Sequence, residues 1–116
     1  MEPADAVAAL SALAHPGRLN VFRLLVRAGA EGMAAGEAAR AVGMAANTLS
    51  TNLSILSAAG LVRSRRVGRS VVYGAAYERM GELLAFLVED CCGGATEVCT
   101  PLAAAIARSV CDTKTC

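Results

Sequence analysis

The stretch "AANTLSTNLSILSAAG", residues 45–60, runs directly into "LVRSRRVGRSVVYGA", residues 61–75, and the period of its apolar residues changes at the junction. In the first part Leu49, Leu53 and Leu56 recur at i, i+4 and i+7, which places them on one face of a helix. Asn47, Thr48, Thr51 and Asn52 fall on other faces, and Gly60 stands where a helix C′ glycine is expected. In the second part the period falls towards two, and Val67-Gly68-Arg69 reads as the tip of a hairpin. A polar-faced helix followed at once by an arginine-edged hairpin is the centre of the fold.

The flanking segments complete it. From Ala4 to Ala14, Val7, Leu10, Leu13 and Ala14 recur at helical spacing until His15-Pro16-Gly17 ends the run, His15 serving as a turn or capping residue. "RLNVFRLLVR" puts Leu19, Phe22, Leu25 and Val26 on one face with arginines opposite. After a Gly-rich turn, Gly36 to Val42 reads as a short helix closed by Gly43. Short helix, glycine turn, polar-faced helix and basic hairpin in that order describe a winged helix-turn-helix, mainly α with a small β-hairpin. Tyr73 and Tyr77 are read as core or interface residues.

From Glu78 to Cys92 the helical spacing returns through Met80, Leu83, Leu84, Leu87 and Val88, and Gly93-Gly94 breaks it. Residues 1–92 are therefore expected to form one winged helix-turn-helix domain for DNA binding and dimerisation. Residues 93–116 form a cysteine-containing C-terminal segment. At 116 residues there is material for one modest core. The hydrophobic content is 55%, but alanine dominates it and aromatics supply only 3%, so each buried side chain contributes little area. Small helices packed closely, or a core completed by a second subunit, follow from that. No uncharged run approaches the ~20 residues of a membrane helix, and the expected setting is soluble and cytoplasmic, with no membrane partner.

The net charge of +1 conceals a strong asymmetry. From Ala38 to Tyr77 there is no Asp or Glu, while Arg40, Arg63, Arg65, Arg66 and Arg69 all lie there. Beyond Glu78 the acids predominate. The central segment is suited to a polyanion. On duplex DNA, short polar side chains of an inserted helix read bases and arginines hold phosphates. The candidate DNA-binding residues are accordingly Asn47, Thr48, Ser50, Thr51 and Asn52 on the helix, with Asn52 best suited to adenine, and Arg63, Arg65, Arg66 and Arg69 on the wing.

All five cysteines stand at position 91 or later. An odd count so placed cannot staple residues 1–90, so the thiols belong to a local site.

Taken together, "ALAHPGRLNVFRLL" and "AANTLSTNLSILSAAGLVRSRRVGRSVVY" resemble the ArsR/SmtB family of metal-responsive repressors, over roughly residues 4 to 90. The resemblance implies a homodimer whose first and last long helices form the interface, two winged helices reading a palindromic double-stranded operator, and release of DNA when a metal binds. The inducer sites of several family branches are missing here. "GMAAGEAARAVG" holds no cysteine, His15 is the sole histidine, and no cysteine precedes Cys91. Ala45 stands where the family often has a capping Ser, a loss of ~1 kcal/mol at the start of the recognition helix. One subgroup of arsenic sensors binds through a vicinal cysteine pair and one further cysteine at the end of the last helix. Cys91, Cys92 and Cys99 resemble that arrangement, with Cys111 and Cys116 as auxiliary ligands or incidental thiols.

The chemistry of the ligand set agrees with that likeness. Soft thiolates select soft ions, and adjacent cysteines do not close a tetrahedral zinc site easily. Gly93-Gly94 would let Cys99 fold back over the pair, giving three ligands on one side, which suits As(III) or Sb(III). Glu89, Asp90 and the expected helix C-terminus all oppose thiolate formation, which weighs against a zinc tetrathiolate and against a peroxide sensor. The expectation is an arsenite-responsive repressor, with As(III) as inducer and no organic cofactor. The alternatives are the same fold sensing Sb(III), a soft divalent metal or thiol oxidation, and a thiol protein that buffers metalloid without binding DNA. The absence of a C-x-x-C motif and of a histidine near the cysteines argues against an enzyme.

Overall fold

A computed structural model describes residues 1–88 together with residues 101, 104 and 105. The chain divides into two units, Met1–Leu83 and Leu84–Cys116. The boundary expected between residues 92 and 93 lies outside the described residues, as do all five cysteines.

Helix α1 (Pro3–Leu13) opens with a proline in its first turn, and the Asp5 carboxylate accepts the Glu2 N–H at 3.2 Å. Its inward face is Ala6, Ala9 and Ala12. Val7 and Leu10, the larger apolar residues, stay 63% and 42% exposed. Helix α2 (Pro16–Ala28) is capped by His15, whose Nδ1 accepts from the Gly17 N–H at 3.1 Å, and it buries Val21, Phe22 and Leu25. The His15 cap satisfies a donor that the helix itself leaves without a partner.

A 3-10 turn (Gly29–Glu31) leads through Gly32 into the two-residue strand β1 (Met33–Ala34). Gly32 has φ +71°, and a Cβ there would lie 2.5 Å from the Tyr73 carbonyl oxygen, so the chain passes too close to the next strand for a side chain. Helix α3 (Ala35–Val42) follows at once and buries Ala38 and Ala39. It ends at Gly43, where Met44 N–H reaches the Ala39 carbonyl at 2.9 Å and Gly43 N–H the Arg40 carbonyl at 3.4 Å, a Schellman termination. Three residues later α4 (Ala46–Ala58) begins, and it buries Leu49, Asn52, Leu53 and Leu56. Gly60 closes it in the same manner, with Leu61 N–H on the Leu56 carbonyl at 3.0 Å.

Strands β2 (Val62–Val67) and β3 (Ser70–Ala75) form the hairpin, paired from Val62↔Ala75 to Val67↔Ser70. Gly68 has φ +61° at the first position of the two-residue loop, as the right-handed strand twist requires. The sheet has three strands in the order β1-β3-β2, all antiparallel, where the sequence indicated two. Helix α5 (Tyr77–Val88) follows, its first residue fastened by the Tyr77 hydroxyl donating to the Val26 carbonyl at 2.9 Å. Leu25, Leu49, Leu56, Leu61 and Val21 are the largest fully buried side chains, so the core sits where α2 and α4 meet the root of the hairpin. Pro101, Ala104 and Ala105 are helical. No helix among the described residues is long and apolar enough to cross a membrane.

Candidate nucleic-acid interface

The leucine face of α4 fixes what its opposite face offers. With Leu49, Leu53 and Leu56 inward, Asn47, Ser50, Thr51 and Ser54 share the outer face at i, i+3, i+4 and i+7, and all four are exposed. Thr48 is exposed beside them. Ser54 was not among the expected residues, although its spacing from Asn47 places it there.

The helix begins at Ala45, which has extended backbone and no side-chain cap. Asn47 supplies part of what is missing, since its Oδ1 accepts the Thr48 N–H at 2.9 Å. The Thr51 hydroxyl donates to the Asn47 carbonyl at 3.1 Å.

Asn52 requires a correction. Expected as the residue for adenine, it lies on the leucine side of α4 and is only 6% exposed. Its amide donates to the Met44 Sδ at 3.2 Å, so it pins the helix-turn-helix turn to α4 and cannot face a groove. The cause is visible in the periodicity: position 52 lies one turn from Leu49 and Leu56, within the same stripe.

The four wing arginines are exposed, but their environments differ. Arg63 pairs with Glu78 at 2.9 Å, both side chains largely in solvent. Such a pair is worth about 0–1 kcal/mol, so a phosphate competes with it readily. Arg65 donates to the Glu31 carbonyl at 2.8 Å and ties the middle of the wing to the 3-10 turn. Arg66 and Arg69, nearest the tip, have no hydrogen-bonded or ionic partner among the described residues. The ligand set Cys91, Cys92 and Cys99, and the auxiliary Cys111 and Cys116, lie outside the described residues. Among the described residues no group of three or more His, Cys, Asp or Glu side chains is placed to hold a metal ion.

An exposed polar helix behind a three-residue turn, beside a hairpin tipped with exposed arginines, defines a winged helix-turn-helix protein. A family model described as a helix-turn-helix domain matches residues 13–65. An uncharacterized HTH-type transcriptional regulator of Mycobacterium tuberculosis is 38% identical over 74 residues, 63% of this chain and 62% of that protein. The chain thus spans about 62% of the length of the curated relatives it matches. A homodimeric winged helix-turn-helix DNA-binding domain of Mycobacterium bovis, described as a candidate ArsR-family regulator, is 33% identical. It superposes with a TM-score of 0.62 over 72% of this chain and 75% of that one. An ArsR-like transcriptional regulator of Rhodococcus is 25% identical and gives 0.68 over 92% of both chains. The chain belongs to the ArsR family of winged helix-turn-helix transcriptional regulators, and the relatives named here are regulators rather than enzymes.

Proposed function

We propose that this protein is an arsenite-responsive transcriptional repressor that binds double-stranded operator DNA as a homodimer. The observation that carries the DNA-binding half is the outer face of α4. Asn47, Thr48, Ser50, Thr51 and Ser54 stand exposed behind the Gly43 turn, with Arg66 and Arg69 exposed at the wing tip. Hydroxyl and amide groups of that size read base edges, and the arginines supply the sequence-independent phosphate term. Two features support dimerisation. Val7 and Leu10 leave an apolar face of α1 uncovered among the described residues, and the Mycobacterium bovis relative is described as homodimeric.

The sensing half rests on sequence. Cys91, Cys92 and Cys99 supply three thiols to As(III), which exchanges three hydroxide ligands for three thiolates and releases three waters. The product is neutral, which suits a segment already carrying Glu89 and Asp90. Sb(III) fits the same three ligands, and Cys111 and Cys116 are close enough in sequence to assist. Drawing Cys99 onto the pair restructures the chain just beyond α5. A coupling of about 1–3 kcal/mol to the DNA-bound state is the usual range for such a device.

The test is fluorescence anisotropy of a labelled duplex from the gene's own upstream DNA at fixed salt, with As(III), Sb(III), Zn(II) and diamide added in turn. Release by As(III) that disappears in Cys91→Ser and in Cys99→Ser supports the proposal. Release by Zn(II) or diamide alone refutes the metalloid site and leaves a winged-helix repressor with another input. A chain that binds no duplex but takes up As(III) would be a thiol buffer.

A further inference from the structure

The arginines of the described residues fall into two groups. Arg18, Arg63, Arg65 and Arg79 are engaged within the chain: Arg18 Nε donates to the Ala12 carbonyl at 2.7 Å, and Arg79 pairs with Asp5 at 3.5 Å and Glu82 at 3.4 Å. Arg63 and Arg65 have the partners given above. Arg23, Arg27, Arg40, Arg66 and Arg69 have none among the described residues. Two of these five are at the wing tip, and the other three lie on the helices that carry and precede the turn.

Arg23 and Arg27 stand one turn apart on the exposed side of α2, with Asn20 one turn before them. With Ala41 and Val42 of α3 these three line a concavity of about 240 Å³. α2 carries no carboxylate, and the one acid on α3, Glu37, forms no ion pair with either arginine. The start of α2 lies against the helix-turn-helix turn, because a Cβ on Gly17 would approach the Met44 methyl at 3.3 Å. The basic face of α2 therefore lies against Ala41 and Val42, the last residues of α3 before the turn that leads into α4.

We propose that Asn20, Arg23 and Arg27 form a second phosphate site, which holds the DNA strand flanking the groove that α4 enters. The proposal rests on the reading of α4 and the wing as the DNA-binding surface. The helical rise puts Arg23 and Arg27 about 6 Å apart along the axis of α2. Phosphates follow one another every 3.4 Å along each strand of the duplex axis. The two guanidinium groups thus reach separate phosphates of one strand, and the Asn20 amide adds a neutral donor. Engaged arginines elsewhere have a structural reason to be there; Arg23 and Arg27 have none among the described residues, and a cationic pair over a polar concavity is suited to a repeating anion.

Anisotropy with the full chain, on its upstream duplex and on an unrelated duplex, at a series of salt concentrations, decides the matter. Each lost phosphate contact lowers the slope of log affinity against log salt by about 0.9, so the Arg23→Gln, Arg27→Gln double variant loses about 1.8 per bound protomer. With curves that converge at 1 M salt, that is roughly 60-fold in affinity at 0.1 M. The loss is equal on both duplexes, the Arg23→Lys, Arg27→Lys variant keeps most of the slope, and the thermal midpoint does not move. An unchanged slope overturns the proposal, and a simultaneous change in self-association by ultracentrifugation would assign the pair to a protein contact instead. The Arg66→Gln, Arg69→Gln variant separates the two readings. If it loses slope while the α2 variant does not, the wing binds DNA and α2 does not. If the wild-type chain binds neither duplex, both readings fail.

Discussion

Replacing Ala45 by serine should stabilise the protein, and the structure sets by how much. The first intrahelical bond of α4 is Leu49 N–H to the Ala45 carbonyl at 2.9 Å, which leaves the N–H groups of Ala46, Asn47 and Thr48 without helical partners. Asn47 Oδ1 already accepts from Thr48 at 2.9 Å, so only part of a cap's work remains. Ala45 has φ −65° and ψ 149°, the backbone an N-cap residue adopts, so serine enters without strain. A full cap is worth about 0.5–2 kcal/mol. With one donor already satisfied, the gain should lie in the lower half, about 0.5–1 kcal/mol. At about 4 °C per kcal/mol for a chain of this size, the thermal midpoint rises by roughly 2–4 °C. Urea denaturation followed by circular dichroism, at one fixed protein concentration so that any self-association stays constant, measures the change directly. In an Asn47→Ala background the gain should grow, as serine then has the Thr48 N–H to itself. A midpoint that is unchanged or lowered in both backgrounds would refute this account of the helix start.

Three further outcomes are expected. Gly32→Ala combines a left-handed φ with a Cβ 2.5 Å from the Tyr73 carbonyl, and should cost more than about 2 kcal/mol in urea titration as β1 is forced off β3. Asn52→Leu should leave operator affinity within about twofold, whereas Asn47→Ala should lower it by about 1–3 kcal/mol in anisotropy titrations, because only Asn47 is exposed. Leu56→Ala, at a position with no solvent exposure, should cost about 2–5 kcal/mol in the same denaturation assay.

Much of this fold could be read from its punctuation. Gly43, Gly60 and Gly68 each carry positive φ where a helix or hairpin was expected to turn, and the leucine period of α4 carried through unchanged. Strand β1 was missed because two residues have no period, and its existence depends on Tyr73 and Val72 arriving from forty residues downstream. The inward face of α1 is carried by alanine, which a hydropathy pattern led by Val7 and Leu10 does not mark. Burial there is decided by how closely the helix approaches its neighbours, which favours the smallest side chains. At the interface, Asn52 was chosen for its chemistry against its own spacing, and Ser54 was overlooked for the opposite reason. That some wing arginines have partners and others do not could not be read from sequence, since those partners, Glu31 and Glu78, come from distant elements.

The alanine seam of α1 also constrains how this chain can drift. Ala9 has no exposed surface, and Ala6 and Ala12 have almost none, so methyl groups alone set the gap between α1 and the rest of its unit. A single added methylene at any of the three pries the helix outward, while Val7 and Leu10 can change size without moving its axis. Among descendants of this sequence, α1 should therefore vary in a rhythm of about three: fixed at the small positions, and free on the outer face except where a second chain holds it still.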